Sequence, residues 1–423
     1  MQIYIHIPFC ELKCKYCRFA SIWQSQNLHI NKYVSFLCKE IERVPVPFKT
    51  FKEVISTIYF GWWTPSVLSE ENFKQIFKAL RQKFIFSKDI EITIESTPNN
   101  ITQKNLEIWQ SLWINRISIW IQTLNYKSLK EINRWNKWDI EKALGILNSH
   151  SKSISSHPNF FLKDGEQRQN NLNINLDFII WLPYVKKWEI LENIKYVLEK
   201  YDFIKHISVY MLEEYYSPDK VIETKFDNII YPKDWKNLWI KDEDYLEEYL
   251  NIKKYLLEKW FVNYEISNFA KVSPLPTPLL KEREQGQEYS DYRCRHNMWY
   301  WEHKEVLGFW MGAYWLKKIE IGTGIHFIQD GYRYLRYANA DNFKDYYEQK
   351  KIFEEKLSQD DIFIEKLMFG LRTNWLEKEI YEKLDKNKIN YFIENWYLKE
   401  KSDKIMLSDK WVLVLDYILT EIL

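Results

Sequence analysis

Glycine is scarce in this chain and tryptophan is abundant. Only 10 of the 423 residues are glycine, whereas an average composition would supply roughly 30. There are 20 tryptophans, so the two residue types together number 30. The shortage of glycine therefore matches the surplus of tryptophan, and the two anomalies need a common explanation.

The sequence also lacks long apolar runs, an excess of one charge and a paired set of cysteines. No run approaches the length of a transmembrane span. The 60 basic and 59 acidic residues give a net charge of +1, which argues against nucleic acid or a membrane surface as a partner. Five cysteines do not make a disulfide framework, and MQIYIHIPFC at the start lacks the features of a signal peptide. A reducing, cytoplasmic location is therefore expected.

Strand-like and helical segments alternate from the N-terminus, which predicts an α/β fold with a parallel sheet. The predicted strands are Ile3–Ile7, Val54–Phe60, Ile90–Glu95, Arg116–Gln122, Asn173–Ile180 and His206–Leu212. Six β/α units starting at the N-terminus predict an open barrel related to the TIM barrel, (β/α)6 in form. In such barrels the functional groups lie at the C-terminal ends of the strands.

Three segments are predicted along the chain: the partial barrel at 1–215, a linker and accessory region at 216–350, and a C-terminal module at 351–423. In the last segment three helices, a hairpin and a helix follow one another, an α+β order that resembles a winged helix. This module has no basic excess, so docking or capping is favoured over DNA binding. Two polar stretches, 151–171 and 271–291, lack hydrophobic periodicity and are expected to be surface loops.

Three cysteines follow the first predicted strand at close spacing. Cys10, Cys14 and Cys17 form C-x3-C-x2-C, and three thiolates on one loop suit three irons of a 4Fe–4S cube. The fourth iron would then be open to an exchangeable ligand, and S-adenosylmethionine can chelate it. Zinc is the alternative, but zinc prefers a fourth nearby ligand, and Cys38 and Cys294 lie outside this loop. The spacing therefore favours the cluster.

The segments that follow the next strands resemble motifs of the radical S-adenosylmethionine superfamily, in the group similar to oxygen-independent coproporphyrinogen III oxidase. That group has G-G-G-T-P, E-x-x-P, R-x-S-x-G-x-Q-x-x-N and D-x-x-x-G-L-P at its second to fifth strands. The corresponding segments here are GWWTP (61–65), ESTP (95–98), RISIWIQTLN (116–125) and DFIIWLP (177–183), and YEISNFA (264–270) is intact. The resemblance covers nearly the whole chain apart from the two polar stretches.

The resemblance implies a role for each residue that matches a motif. Cys10, Cys14 and Cys17 would ligate the cluster, and Tyr4 and Tyr16 would line the cofactor site. The positions implied to hold S-adenosylmethionine are Trp62, Trp63, Thr64, Glu95, Gln122, Arg134 and Asp177. Taken alone, each polar residue would be an ordinary strand-end group or surface ion pair, but their common placement after consecutive strands favours binding.

A second motif lies late in the chain, where His296-Asn297-x-x-Tyr300-Trp301 matches H-N-x-x-Y-W. This motif is typical of the heme chaperone branch of the family. The resemblance therefore implies heme bound through His296, since an imidazole is a natural axial ligand of heme iron. Cys294 is a candidate second ligand, although such a cysteine is more often a buried thiol. The alternative is that His296 has only a structural role, as a histidine packed in the core.

Two functions of different class follow from the resemblance. One is a heme chaperone that hands heme to an unidentified acceptor protein. The other is an oxidoreductase, coproporphyrinogen III dehydrogenase, which would use S-adenosylmethionine and an unidentified electron donor. The H-N-x-x-Y-W motif favours the chaperone, as does a chain that begins at the first strand, where the oxidases carry an extension. A third alternative is a radical enzyme that acts on another substrate, since a fold does not determine the substrate. A homodimer is a further alternative for the assembly.

The departures from the family motifs are nearly all of one kind. Tryptophan stands where the family has glycine at 62, 63, 120, 181 and 310, and by local context at 113, 135, 260, 375, 396 and 411. Trp301 is an exception, because the family has tryptophan there. We interpret the pattern as UGA codons that the cell reads as glycine but that were translated as tryptophan. If the codons are UGG, two indoles would block the cofactor loop of a degenerate, non-binding paralogue.

Overall fold

A computed structural model describes most of the 423 residues. The described ranges are 1–17, 22–23, 27–44, 54–62, 64–134, 137–156, 159–161, 167–169, 172–212, 242–272, 292–318, 334–340, 342–348, 350–373, 376, 378–401, 404–408 and 415–422. No described helix is long and apolar enough to cross a membrane.

The described strands and helices follow one another in the alternation that the sequence predicts. The strands are β1 (Gln2–Ile7), β2 (Phe9–Cys10), β3 (Ile22–Trp23), β4 (Val54–Trp62), β5 (Ile85–Ser96), β6 (Arg116–Gln122), β7 (Asn159–Phe161), β8 (Gln167–Gln169), β9 (Asn173–Ile180), β10 (Ile204–Met211), β11 (Phe261–Glu265), β12 (Asn268–Lys271), β13 (Val306–Phe309), β14 (Tyr314–Lys318), β15 (Tyr334–Asn339), β16 (Lys351–Leu357), β17 (Leu398–Lys401) and β18 (Lys404–Leu407). The helices are α1 (Asn27–Arg43), α2 (Glu70–Lys83), α3 (Gln103–Ser111), α4 (Tyr126–Glu131), α5 (Lys137–Ser156), α6 (Glu189–Lys200), α7 (Asp242–Glu258), α8 (Arg295–Trp301), α9 (Phe343–Tyr347), α10 (Gln359–Arg372), α11 (Lys378–Tyr381), α12 (Lys386–Glu394) and α13 (Leu415–Ile422).

A mixed sheet of twelve strands organises the molecule, in the order β11-β12-β10-β9-β6-β5-β4-β1-β13-β14-β15-β16. The strands β1, β4, β5, β6, β9 and β10 pair in parallel, each with its neighbour in that order. These are the six strands predicted from the sequence, so the predicted (β/α)6 arrangement is confirmed. β13 adds a further parallel strand beside β1, and antiparallel strands extend both edges.

Burial explains why these segments form strands and helices. β9 is buried from its second residue onward and β6 at all but one position, as expected for parallel strands covered on both faces. The helix α2 begins at a capping box in which Ser69 and Asn72 bond reciprocally, and this arrangement satisfies backbone N–H groups of its first turn. The apolar face of α2, with Phe73, Phe77 and Leu80, is buried against the sheet core.

The expectation of a surface loop over 151–171 is wrong in part. Residues up to Ser156 continue the helix α5, and β7 pairs with β8 as an antiparallel hairpin. The hydroxyl of Ser153 donates to the backbone oxygen of His150 at 2.8 Å, so a polar helix end bonds locally without an apolar face. In the second polar stretch, residues 273–291 lie outside the described residues.

A separate apolar cluster organises the C-terminal segment. Leu367, Leu371, Phe392 and Ile418 are buried there, with side chains from α10, α12, α13 and the β17–β18 hairpin. The order of helices, hairpin and final helix is the order that the sequence predicts for a winged-helix-like module. Ile266 packs against this cluster from the barrel side, so the module contacts the loop between β11 and β12.

Positive backbone φ angles concentrate at tryptophan. Of eleven described non-glycine residues with positive φ, seven are Trp62, Trp113, Trp181, Trp188, Trp260, Trp310 and Trp396. A left-handed backbone costs a residue with a side chain roughly 1–2 kcal/mol. Seven such positions would cost on the order of 10 kcal/mol, which is comparable with the whole stability of a typical domain, about 5–15 kcal/mol. The backbone therefore has the shape of a glycine-containing chain at these positions.

Candidate functional site

A cavity of about 830 Å³ opens at the C-terminal ends of the parallel strands. β1 contributes Tyr4 and His6 to its wall, and β4 contributes Tyr59. α8 contributes His296, and the C-terminal module contributes Arg372. A volume of this size is in the range of small-molecule and cofactor sites, and its position is the one predicted for functional groups in such a barrel.

The three motif cysteines lie together on the loop after β1. Cys10 and Cys14 are buried and Cys17 is partly exposed. The backbone N–H of Cys17 donates to the carbonyl of Cys14 at 3.0 Å, which folds the loop into a tight turn. The Cys10 thiol donates to the carbonyl of Leu12 at 3.0 Å and lies 3.1 Å from the hydroxyl of Thr64. Thr64 is thus brought to the cysteine loop.

Arg134 adds a positive charge beside this loop. Its Nη2 and Nε atoms donate to the hydroxyl oxygen of Tyr16 at 2.8 and 3.2 Å. Burial raises the pKa of the Cys14 thiol, whereas the charge of Arg134 acts in the opposite direction. A nearby cation favours the thiolate, which is the form of cysteine that binds metal. The structure therefore brings Arg134 and Tyr16 to the cysteines.

Glu95 connects the ends of β4 and β5. Its Oε1 accepts a hydrogen bond from the hydroxyl of Tyr59 at 2.7 Å, and its Oε2 accepts one from the backbone N–H of Trp62 at 2.9 Å. Burial raises the pKa of Glu95 to about 7, and the charge of Asp177 adds to this shift. The Trp62 ring lies 4.6 Å from the ring of His6 at the cavity wall. Trp63 lies outside the described residues.

Gln122 and Asp177 end up in the sheet rather than on the cavity wall. Gln122 is buried with φ at 68°, and its Oε1 has no hydrogen-bond partner among the described residues. Asp177 accepts hydrogen bonds from the hydroxyl of Ser118 at 2.9 Å and from Nδ2 of Asn175 at 2.8 Å. Its carboxylate is therefore already satisfied within the protein, while the Gln122 oxygen has acceptor capacity to offer a ligand.

His296 also lies on the cavity wall, buried in the first turn of α8. Its Nδ1 lies 3.0 Å from Oγ1 of Thr57, and its backbone N–H donates to Oε1 of Glu91 at 3.1 Å. Burial lowers the pKa of His296 to about 3, so the ring is neutral at physiological pH, as a metal ligand must be. The ring of Tyr59 lies 5.0 Å away.

Cys294, the other candidate ligand in this segment, is less suited to that role. Its side chain is fully buried, and its thiol donates to Oε1 of Glu91 at 3.6 Å. Burial raises the pKa of Cys294 to about 12, which keeps it a thiol rather than the thiolate that binds iron.

Similarity to known proteins agrees with this geometry. Residues 4–162 match the model of the radical SAM superfamily. This part of the chain is a radical SAM domain. It is 29% identical to the heme chaperone HemW of Buchnera aphidicola from Acyrthosiphon pisum over 320 residues, which are 74% of this chain and 69% of the relative. It is 25% identical to the heme chaperone HemW of Lactococcus lactis over 425 residues, 96% of this chain and 93% of the relative.

Among solved structures, coproporphyrinogen III oxidase (HemN) from Escherichia coli, a radical SAM enzyme, has a similar fold. The TM-score is 0.71 at 20% identity, covering 100% of this chain and 89% of that one. At this identity the similarity establishes the shared fold, and the substrate has to be argued from the site itself.

A radical SAM protein holds a 4Fe–4S cluster and S-adenosylmethionine, and the residues present fit both groups. No three or more His, Cys, Asp or Glu side chains within the described ranges converge on a single metal ion. A cube gives each cysteine its own iron, so the three thiolates need to share one loop rather than one ion. Cys10, Cys14 and Cys17 meet that condition, and the unpartnered oxygen of Gln122 leaves an acceptor for the second group.

Several residues of the site were not found by motif reasoning. Thr57 and Glu91 contact His296 from neighbouring strands. Tyr59 donates a hydrogen bond to Glu95. Arg372 reaches the cavity from the C-terminal module. The inward alternation along β4 could have indicated Thr57 and Tyr59, which are two residues apart. Arg372 carries no such signal, because it belongs to an element far away in sequence.

Proposed function

We propose that this radical SAM protein is a heme chaperone that binds heme through His296 and delivers it to an acceptor protein. The observation that carries the proposal is the ring of His296, neutral and on the cavity wall, with Nδ1 beside Thr57. In the tautomer that donates from Nδ1 to Thr57, Nε2 presents its lone pair to iron. The heme chaperones among its relatives support the same reading.

The remaining parts of the proposal concern the barrel. Cys10, Cys14 and Cys17 hold the 4Fe–4S cluster, and its open iron takes S-adenosylmethionine. When bound, the cluster supplies one-electron chemistry at that cofactor, with an electron donor still to be identified. Tyr4, Tyr16, Trp62, Trp63, Thr64, Glu95, Gln122, Arg134 and Asp177 form the surroundings of S-adenosylmethionine in this proposal.

The proposed arrangement has three segments, a partial barrel at 1–215, an accessory region with the heme motif at 216–350 and a docking module at 351–423. The cytoplasm is the proposed location, because none of the five cysteines forms a disulfide. Neither nucleic acid nor a membrane is a proposed partner, and a homodimer is compatible with the proposal. The heme-acceptor protein is the partner to be identified.

Heme titration of the anaerobically reconstituted protein tests the proposal. We expect stoichiometric uptake with the absorbance spectrum of a histidine-ligated heme, and loss of that spectrum in His296→Ala. The matched control is His150→Ala, since His150 is also buried but lies on α5. Uptake that is equal in His296→Ala and in the unaltered protein would contradict ligation by His296.

The alternative function is tested in the same preparation. Coproporphyrinogen III is supplied with S-adenosylmethionine and a strong reductant, and the product is analysed by chromatography. We expect no protoporphyrinogen. Catalytic formation of that product would overturn a chaperone-only function and establish the oxidase reaction instead.

A further inference from the structure

Arg372 brings a permanent positive charge to the cavity. It is the one Lys or Arg among the described residues that form the cavity wall. Its guanidinium lies 5.7 Å from the ring centroid of Trp301, and its backbone oxygen accepts a hydrogen bond from the N–H of Ile266 at 3.1 Å. The side chain is thus held at the junction between the end of α10 and the loop after β11.

The nearest acidic group on the cavity wall, Glu265, does not form an ion pair with Arg372. No carboxylate among the described residues forms an ion pair with its guanidinium. Most of the remaining wall is aromatic, with Tyr4, Tyr59 and Trp301 among its residues. Burial raises the pKa of Glu265 to about 7, whereas the charge of Arg372 acts in the opposite direction. A largely aromatic wall therefore presents one permanent cation, whose guanidinium donates no hydrogen bond to another described residue.

We propose that Arg372 binds a carboxylate of the ligand, which in heme is a propionate. This inference rests on the proposed function, since it takes a porphyrin as the ligand of the cavity. A guanidinium matches a carboxylate with two parallel donors, while Tyr4, Tyr59 and Trp301 offer flat surfaces to the macrocycle. Coproporphyrinogen III also carries propionates, so the role of Arg372 does not depend on which porphyrin is bound.

The contact would also give the C-terminal module a part in ligand recognition. Arg372 is the last residue of α10, whose apolar side chains belong to the cluster of that module. Iron ligation by His296 on one side and a carboxylate contact on the other would fix both the position and the rotation of a flat ligand. Arg372 is therefore a specificity-determining residue in this proposal.

Heme and heme dimethyl ester, in which both propionates are esterified, provide the test. We expect the reconstituted protein to bind heme roughly ten to a hundred times more tightly than the ester, as a charge-assisted hydrogen bond predicts. Arg372→Gln should lose that preference while keeping the histidine-ligated spectrum. The matched control is Arg43→Gln, which removes the same charge from an exposed position at the end of α1.

The outcomes separate this inference from the proposed function. A preference for heme that persists in Arg372→Gln overturns the role of Arg372, whereas failure of the unaltered protein to bind either compound overturns heme binding itself. Where Arg372→Gln does not fold, Arg372→Lys decides. Lysine keeps the positive charge but lacks the two parallel donors of the guanidinium. An unchanged preference for heme over its ester in Arg372→Lys would therefore contradict bidentate binding, and a reduced preference would support it.

A second inference rests on the backbone alone. Three of the positive-φ tryptophans, Trp113, Trp260 and Trp396, lie two residues beyond the ends of α3, α7 and α12. This is the position at which helices most often end in a left-handed residue, usually glycine. The N–H of Trp113 donates to the carbonyl of Gln110 at 2.9 Å. The N–H of Ile114 donates to the carbonyl of Trp109 at 3.0 Å.

The same pair of bonds closes α12. Trp396 N–H donates to the carbonyl of Ile393 at 3.0 Å, and Tyr397 N–H donates to that of Phe392 at 2.9 Å. These are the two hydrogen bonds of a Schellman motif, which places glycine at the left-handed residue. Trp181 carries a further cost, because its indole N–H is buried with no hydrogen-bond partner among the described residues.

The backbone assigns glycine to the natural protein at positions 62, 113, 181, 188, 260, 310 and 396. Six of these coincide with positions where family motifs or local context indicate glycine, and Trp188 is added by its φ of 72°. With glycine at 62, the cavity would lose the ring that lies beside His6 and would gain room for a cofactor. The common cause is a code in which UGA specifies glycine.

The coding DNA and the peptides of the native protein test this assignment. We expect UGA at the seven positions and glycine in the corresponding peptides by mass spectrometry of the source cells. Trp109, which is helical and fully buried, and Trp301 serve as controls and should be encoded by UGG. UGG at the seven positions, or tryptophan in their peptides, would overturn the assignment.

Discussion

Thr57 Oγ1 lies 3.0 Å from Nδ1 of His296, and this contact joins the second parallel strand to the helix that carries the heme motif. Both groups are buried. Histidines that bind metal commonly donate their other ring N–H to a fixed acceptor, which sets the tautomer and the ring orientation. Thr57 is therefore placed to hold His296 in the orientation that presents Nε2 to the cavity.

Thr57→Val should weaken heme binding without removing the ligand. The valine has no acceptor for the Nδ1–H of His296, so the ring loses its preferred tautomer and orientation. Loss of such a partner typically costs ten- to a hundredfold in metal affinity, and we expect a decrease of roughly tenfold by absorbance titration. Thr93→Val is the matched control, because Thr93 is buried on β5 and its hydroxyl has no partner among the described residues. Equal losses in the two variants would contradict the role of Thr57.

Glu91 should stabilise the segment around His296. Its carboxylate accepts hydrogen bonds from the backbone N–H groups of Arg295 and His296, both at 3.1 Å. Hydrogen bonds to a charged group contribute about 1.5–3 kcal/mol each, so the loss of both in Glu91→Ala should lower the free energy of unfolding by roughly 3–6 kcal/mol in a urea titration. Glu199→Ala, an exposed change on α6, should alter it by no more than about 0.5 kcal/mol. A Glu91→Ala protein as stable as that control would show that the N–H groups find other partners.

The central sheet could be predicted from the sequence and the contacts across the cavity could not. The bounds of β6 and β9 agree with the predicted strands, because their apolar runs are covered on both faces and bounded by polar residues. The cysteine spacing predicted the loop that holds Cys10 and Cys14 together. Arg372 reaches the cavity only because the C-terminal module packs against the barrel, and no local pattern encodes that packing.

Glu40 should make stability depend on pH. Its partly buried carboxylate accepts hydrogen bonds from the N–H of Trp310 and from Nδ2 of Asn339, and the Tyr346 hydroxyl also donates to it. Burial raises its pKa from 4.5 to about 7, so between these values the folded protein holds a proton that the unfolded chain releases. The contribution of Glu40 to stability should therefore fall as pH rises from 5 to 7, by up to about 1.4 kcal/mol per pH unit.

Glu40→Gln tests whether Glu40 contributes to the pH dependence of stability, because glutamine does not titrate. In urea unfolding at pH 5, 6 and 7, the free energy of unfolding of the unaltered protein minus that of the variant should decrease as pH rises, whatever the absolute stability of either protein. Glu95 and Glu265, whose pKa values burial also raises to about 7, act in the same direction as Glu40. His6 and His296, whose pKa values burial lowers to about 3, act in the opposite direction, so only the difference between the two proteins reports on Glu40. Parallel pH profiles for the two proteins would show that Glu40 is not responsible.

Trp396→Gly should stabilise the protein, although it removes the largest side chain and leaves the smallest. Trp396 has φ at 65° and is 79% exposed, so its ring contributes little packing to offset the strained backbone. Glycine relieves roughly 1 kcal/mol of left-handed strain. Trp138 is equally exposed, at 82%, but lies within α5, where glycine costs about 0.5–1 kcal/mol. The same substitution should therefore have opposite signs at 396 and 138 in chemical denaturation. Destabilisation at both would mean that the backbone at 396 does not favour glycine.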